Sequence, residues 1–190
     1  MNVNTADFIL RQDFFDIRSS LHGIDHTYRV MCHCLILGAM LKAKRETRLA
    51  LCAAFIHDMA RKHDGRCHMH GTWAAENKLP LFRDLFLSAG VGPEELNEIR
   101  VSVSNHSLLE ELPPDHRYYR STAILKDADA LDRIRLGETN LNVNFLRFNE
   151  SRGLTSFSRL LYAQTHKQPV PDFAALLGKA HSLLAVGGGT

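Results

Sequence analysis

The stretch Thr47–Ala60, TRLALCAAFIHDMA, is apolar almost all the way round a helical wheel and then finishes on two polar residues, His57 and Asp58. A helix without a polar face has no side to turn to solvent, so this one is expected at the centre of its domain. Two adjacent polar residues at the end of a buried helix need a reason to be there. Successive helical residues diverge by about 100°, so both can reach one point only where the helix end abuts it, or where the carboxylate bridges between two groups.

Reading outward, the flanking segments also carry helical periods. In Asp25–Ala43 the residues Val30, Cys34, Leu37 and Leu41 share a stripe, with His26 on its edge and expected to face the core. Gly71–Lys78 and Leu81–Ser88 read as short helices separated by Pro80. Gly92-Pro93-Glu94-Glu95 is a start signal, with proline suited to a first turn and acids favourable to the helix dipole. Beyond it Leu96, Ile99, Val103 and His106 fall on one face, which points His106 inward at the helix end. After Pro113-Pro114, the segment Ser121–Leu136 embeds Asp127, Asp129 and Asp132 among apolar residues, and acids so placed require cationic partners. Asn140–Phe148 is open between strand-like loop and short helix, Ser156–Thr165 and Asp172–Ala185 read as helices, and the tail Gly187–Thr190 is expected to be mobile.

No pair of alternating runs is joined by a hairpin signal, so the expectation is an all-α, single-domain helical bundle over residues 1–190, with an N-terminal helix and a C-terminal helical extension. A chain of 190 residues can bury a sizeable core without disulfides, and Cys32, Cys34, Cys52 and Cys67 form no C-x-x-C pair. With 45% hydrophobic and 23% charged residues the chain is neither disordered nor low in complexity. No apolar run approaches a membrane span, and Asp7, Asp13 and Asp16 leave no secretory h-region, so a cytoplasmic location and no membrane partner are expected. A net charge of +2 gives no general field for nucleic acid, which makes that partner, and nuclease activity, poor expectations. Pairing of two copies is expected, if anywhere, through exposed apolar helices such as Leu81–Leu87.

The unusual item is histidine: His22, His26, His57, His63, His68, His70 and His106 all fall within the first 106 residues. The residues that periodicity turns inward, His26, His57, Asp58, His106 and Asp129, come from four helices. Imidazole with carboxylate suits manganese, iron, cobalt, nickel or zinc, with magnesium a further choice, rather than calcium. A single inward histidine such as His33 is read instead as a hydrogen-bonded core residue.

The order of these residues resembles the HD superfamily of metal-dependent phosphohydrolases. An early His, an adjacent His-Asp pair and a late Asp are matched by His26 in HGIDHTYRV, His57-Asp58 in AAFIHDMAR and Asp129 in LKDADALDRIR, a likeness that covers about residues 21–137. The resemblance implies that these four bind one ion in the core of a helical bundle. Members with two ions carry further histidines between the pair and the last Asp, and His70 and His106 occupy similar places. In that reading Asp58 bridges, His26, His57 and Asp129 hold the first ion, and His70 and His106 the second. His68 stays open as the alternative to His70. Two such cations, about 3.5–4 Å apart, clamp a phosphate and activate a water.

The expected reaction is therefore hydrolysis of a phosphate ester, of a nucleotide or another small phosphorylated metabolite, at one or two divalent ions. Arg29, Arg61, Lys126 and Arg133 are the candidates for neutralising phosphoryl oxygens, because they lie beside the ligand residues in sequence. Asp127 and Asp132 are expected to pair with Arg or Lys, and His22 is left outside the ligand set. The rivals are a di-iron oxygenase of the same fold and a signalling or binding module without catalysis. The Gly-Tyr-Pro element of cyclic-dinucleotide phosphodiesterases is missing from the sequence, so that activity is not expected.

Overall fold

The computed structural model describes residues 4–166 and 171–187. Nine α-helices and several single 3-10 turns make up the described part, in which no strand occurs. They are α1 (Ile24–Met40), α2 (Lys44–Ile56), α3 (His70–Asn77), α4 (Arg83–Ser88), α5 (Leu96–His106), α6 (Tyr119–Leu131), α7 (Asn149–Gly153), α8 (Thr155–His166) and α9 (Phe173–Gly187). None is long and apolar enough to cross a membrane. Of the expected mobile tail, Gly187 ends α9 and Gly188–Thr190 lie outside the described residues.

α2 is central, as its composition requires: every residue from Leu49 to Ile56 is buried. It packs against α1, α5 and α6, while α1 also lies on α6 and α3 lies on α5. α8 and α9 form a second layer on the outer side of α1. The N-terminal segment is not the expected helix. Two 3-10 turns, Thr5–Asp7 and Gln12–Phe14, carry the chain as a strap across the bundle. The strap is held by apolar side chains, since Phe8 meets Phe55 edge to face at 5.5 Å, and by the Tyr28 hydroxyl, which accepts from Leu10 N at 2.9 Å.

Several boundaries shift for local reasons. α2 stops at Ile56 rather than Ala60, because the chain tightens into a turn in which Met59 N bonds to Ile56 O at 3.1 Å. The proline of Leu79–Phe82 sits in the opening of a 3-10 turn, so the segment Leu81–Ser88 is shared between that turn and α4. Leu81 is exposed there, but Phe86 is fully buried. Asn140–Phe148 resolves into loop with one 3-10 turn at Val143–Phe145, followed by the short α7, which periodicity alone did not announce.

Asp127 ties that last region to the bundle. Fully buried on α6, its carboxylate accepts from the backbone N–H groups of Arg147 and Phe148, from Ser151 Oγ at 2.6 Å and from the Arg147 guanidinium at 2.9 Å. It therefore caps the start of α7 from a distance and has the cationic partner its burial demands. Removing a buried carboxylate with this many donors strands all of them. Asp127→Ala is expected to lower unfolding free energy by about 3 kcal/mol, measured by urea denaturation. A loss under about 0.5 kcal/mol, the range of ordinary surface changes, would show the cap to be dispensable.

Candidate metal centre

The candidate ligands sit at helix ends that gather at one end of the bundle. His26 lies in the first turn of α1 and His70 opens α3, while His106 closes α5 and Asp129 lies in the last turn of α6. His57 and Asp58 follow α2 directly, and the tight turn there lets two consecutive side chains face one point.

The orientation of the four imidazoles is set by what holds Nδ1. In three of them it meets the carbonyl three residues back: His57 with Ala54 O (2.7 Å), His70 with Cys67 O (2.8 Å) and His106 with Val103 O (2.6 Å). A carbonyl only accepts, so Nδ1 carries the proton and Nε2 keeps its lone pair. For His57 and His106 the carbonyl belongs to the final turn of the helix that the residue follows or closes, where helix ends leave such groups without a helical partner. In the fourth, Nδ1 of His26 stands 2.7 Å from Asp132 Oδ2.

All four Nε2 atoms converge on Asp58. Its Oδ2 is 3.3 Å from His26 Nε2 and 3.5 Å from His57 Nε2, while Oδ1 is 3.1 Å from His70 Nε2 and 3.8 Å from His106 Nε2. Asp129 Oδ1 joins the first group at 3.4 Å from His26 Nε2. Two triads result, His26–His57–Asp58 and Asp58–His70–His106, each with donor atoms close enough together to hold one ion, and Asp58 is common to both. The nitrogens of His70 and His106 approach to 2.9 Å and those of His26 and His57 to 3.2 Å. Lone pairs at such separations repel unless a cation or proton lies between them, so the donor set fits a divalent transition metal.

The titration of these groups follows from burial and their neighbours. Burial pushes His57 down to about 3, with His106 and His26 acting the same way against Asp58, so its Nε2 is bare at neutral pH. Burial and Arg135 push His26 down as well, but hydrogen bonds to Asp129, Asp132 and Asp58 outweigh them and lift it to about 9. Asp58 and Asp129 are held well below the usual carboxylate range although burial acts to raise both, because His57, His106, His26 and His70 surround the first, and His26 and Arg135 flank the second.

Of the expected phosphate-binding residues, Arg61 and Arg133 border a cavity of about 600 Å³ that opens from the second triad. Two others are engaged elsewhere. Arg29 is buried and its guanidinium bonds twice to Asp132, at 2.6 and 3.0 Å, so it is a support for the residue that orients His26 rather than a phosphate ligand. Lys126 reaches the cavity wall, but its ammonium is held by the carbonyls of Leu108 and Glu110 and by Glu111 at 2.8 Å, which pins that loop in place. His70, not His68, joins the centre, since His68 is exposed with its ring toward Ser107 O. His33 is buried in the core beside Ser158 and Phe157.

Three contributors were not read from sequence. Asp132 does pair with an arginine, and it also holds His26; its spacing of three from Asp129, which puts both on one helical face, was the available signal. Arg66, exposed and lining the cavity, lies in the loop between α2 and α3, where no helical period marks it. Gly71 matters through what it lacks. A Cβ there would lie 2.4 Å from Val103 O and 3.0 Å from His106 Nδ1, so glycine is what allows α3 to approach α5 and bring His70 to His106. Gly71→Ala is expected to weaken the second ion site at least about tenfold, as loss of a supporting partner does at metal centres, and to leave the first site intact. Calorimetric metal titration would read both, and loss of the first site as well would contradict this placement.

Comparison with known proteins bears on the same residues. Neither the curated proteins nor the solved structures compared with the chain yields a match. Residues 23–134 match the HD domain family, a stretch that begins just before α1, ends just after α6 and contains all six candidate ligands. With more than half of its length in that match, and a His/Asp cluster able to hold metal inside it, the chain belongs to the HD domain family.

Proposed function

We propose that the protein is a metal-dependent phosphohydrolase that cleaves a phosphate ester of a nucleotide or a small phosphorylated metabolite. The observation that carries this reading is the pair of triads sharing Asp58, each histidine turned inward by its Nδ1 hydrogen bond. His26, His57, Asp58 and Asp129 would hold one divalent ion, and Asp58, His70 and His106 a second. Bound there, such ions supply Lewis acidity, which draws charge from phosphoryl oxygens and makes water nucleophilic at neutral pH.

The chain's own groups do the remaining work. Asp132 orients His26 and is itself oriented by Arg29, so the first ring keeps its angle when charge around it changes. Arg61, Arg66 and Arg133 line the cavity beside the centre, and guanidinium groups there suit the non-bridging oxygens of a phosphoryl group. Arg133, exposed, donates from Nε to Asn140 O at 3.3 Å and lines the cavity. Phe145 and Leu109, both exposed, also line the cavity and offer apolar surface to the organic part of the ester.

Phosphate release from a panel of nucleotides and phosphorylated metabolites, with metal-stripped protein reloaded with manganese, iron, cobalt, nickel or magnesium, tests the reading. Metal-dependent release is expected, and Asp58→Ala should abolish both metal binding and release while helical circular dichroism stays near wild type. Oxygen consumption by iron-loaded protein without phosphate release would move the assignment to an oxygenase, and retention of ion binding by the variant would make the His-Asp pair structural. A second outcome follows from His26. Its proton at Nε2 must leave before the atom can ligate, so ion uptake at pH 7 should release close to one proton, and first-site affinity should rise with pH until about 9 and then level off. Calorimetry in buffers of different ionisation enthalpy measures that proton directly.

A further inference from the structure

Arg61 lies in the turn after α2, three residues beyond Asp58, and its guanidinium lies across the second triad. Nε donates to Asp58 Oδ1 at 2.7 Å, one terminal nitrogen stands 3.3 Å from His70 Nε2, and the other donates to Gly65 O at 3.3 Å. The contact with His70 decides the matter. A neutral imidazole has one lone pair, and the Nδ1 proton of His70 is already directed at Cys67 O, so Nε2 is the acceptor that Arg61, a residue with donors only, fills. A nitrogen whose single lone pair accepts a hydrogen bond is unable to ligate an ion at the same time.

From this exclusion we infer that Arg61 is an internal cation of the second triad, which competes with a metal ion for Asp58 Oδ1 and His70 Nε2 and so sets whether the chain holds one ion or two. The inference rests on the metal-binding reading above and adds a rule of occupancy to it. The first triad has no such competitor among the described residues. Arg29 is taken up by Asp132, and Arg135 donates to Leu21 O at 2.8 Å and Asp132 O at 3.1 Å, coming no closer to the carboxylates of Asp132 and Asp129 than 3.8 and 3.9 Å. The two sites are thus unequal by construction: the first accepts an ion without displacing any guanidinium, whereas the second must break two charge-assisted contacts. Once displaced, the Arg61 guanidinium remains in the cavity wall, where an anion gives it a new partner. Anion and second ion then favour each other's binding, as any two ligands do that select the same arrangement.

The test is calorimetric titration of the metal-stripped 190-residue chain with manganese, comparing wild type with Arg61→Leu, which has neither donor nor ligand atom. Two sites are expected in each protein, the second at least about tenfold tighter in the variant and the first unchanged. Inorganic phosphate should narrow the gap by tightening the second site of the wild type more than that of the variant. A second site equal or weaker in Arg61→Leu overturns the inference, and failure of phosphate to narrow the gap overturns the handover of the guanidinium. One ion in both proteins removes it together with the two-ion reading, and no ion in either sinks the metal centre itself. A measurement on wild type alone stands independently of the variant's folding. The Arg61 Nε–H resonance should move at the second equivalent of zinc, and movement at the first equivalent, or none, would again overturn the inference.

Discussion

Four imidazole nitrogens with their lone pairs turned toward one buried carboxylate form an arrangement that repels itself, and the rest of the structure exists to hold it. Each ring is fixed from behind by an Nδ1 hydrogen bond, three to backbone carbonyls and one to Asp132. Rings so fixed have no freedom to turn a proton inward and relieve the crowding. In the protein alone the relief comes from charge sharing: His26 takes up a proton that three carboxylates stabilise, and Arg61 lies against Asp58 and His70. The proton supplies positive charge to the first triad and the guanidinium to the second. A divalent ion would remove the need for either.

The bundle supplies this arrangement through helix ends. α2, α5 and α6 direct their carboxy ends at the site, where the partial negative charge of the helix dipole favours a cation, against the amino ends of α1 and α3. The two histidines that follow or close a helix, His57 and His106, bond to carbonyls of that helix's last turn. One hydrogen bond thus finishes the helix and aims the ring, so fold stability and site geometry rest on the same contact. The place of Asp58 in both triads depends on the early termination of α2, since a helix continued to Ala60 would turn it about 100° away from His57.

Much of this was legible in the sequence because periodicity reports which way a side chain faces. The apolar surround of Thr47–Ile56 marked the central helix, and the inward placement of His26, His57, Asp58 and His106, with Asp129 half-buried beside them, is what periodicity encodes. What periodicity does not encode is the partner of a charged side chain. Arg29 and Arg61 stand at the same distance, three residues, from a ligand; one is buried against Asp132 and the other reaches the cavity, and only the packing of α1 on the turn after α6 separates them. The strap of residues 4–18 and the loop of residues 137–148 escaped for a related reason: their course is set by distant contacts such as Asp16 N to Met59 O and Asp127 to Arg147, with no local period to read.

The attachment of α7 through Asp127 bears on how such a chain can diversify. Asp127 and Asp129 are neighbours on α6, yet one faces the ligand cluster and the other clasps the loop that carries Phe145 and Arg147 into the cavity wall. That loop lies beyond the stretch shared with the family. The part of the cavity wall that this loop forms can therefore change while the His/Asp cluster stays as it is, the two being tied through Asp127 and through the Arg147–Glu111 and Arg133–Asn140 contacts. Cavity wall and ligand cluster are in this sense separately variable parts of one chain.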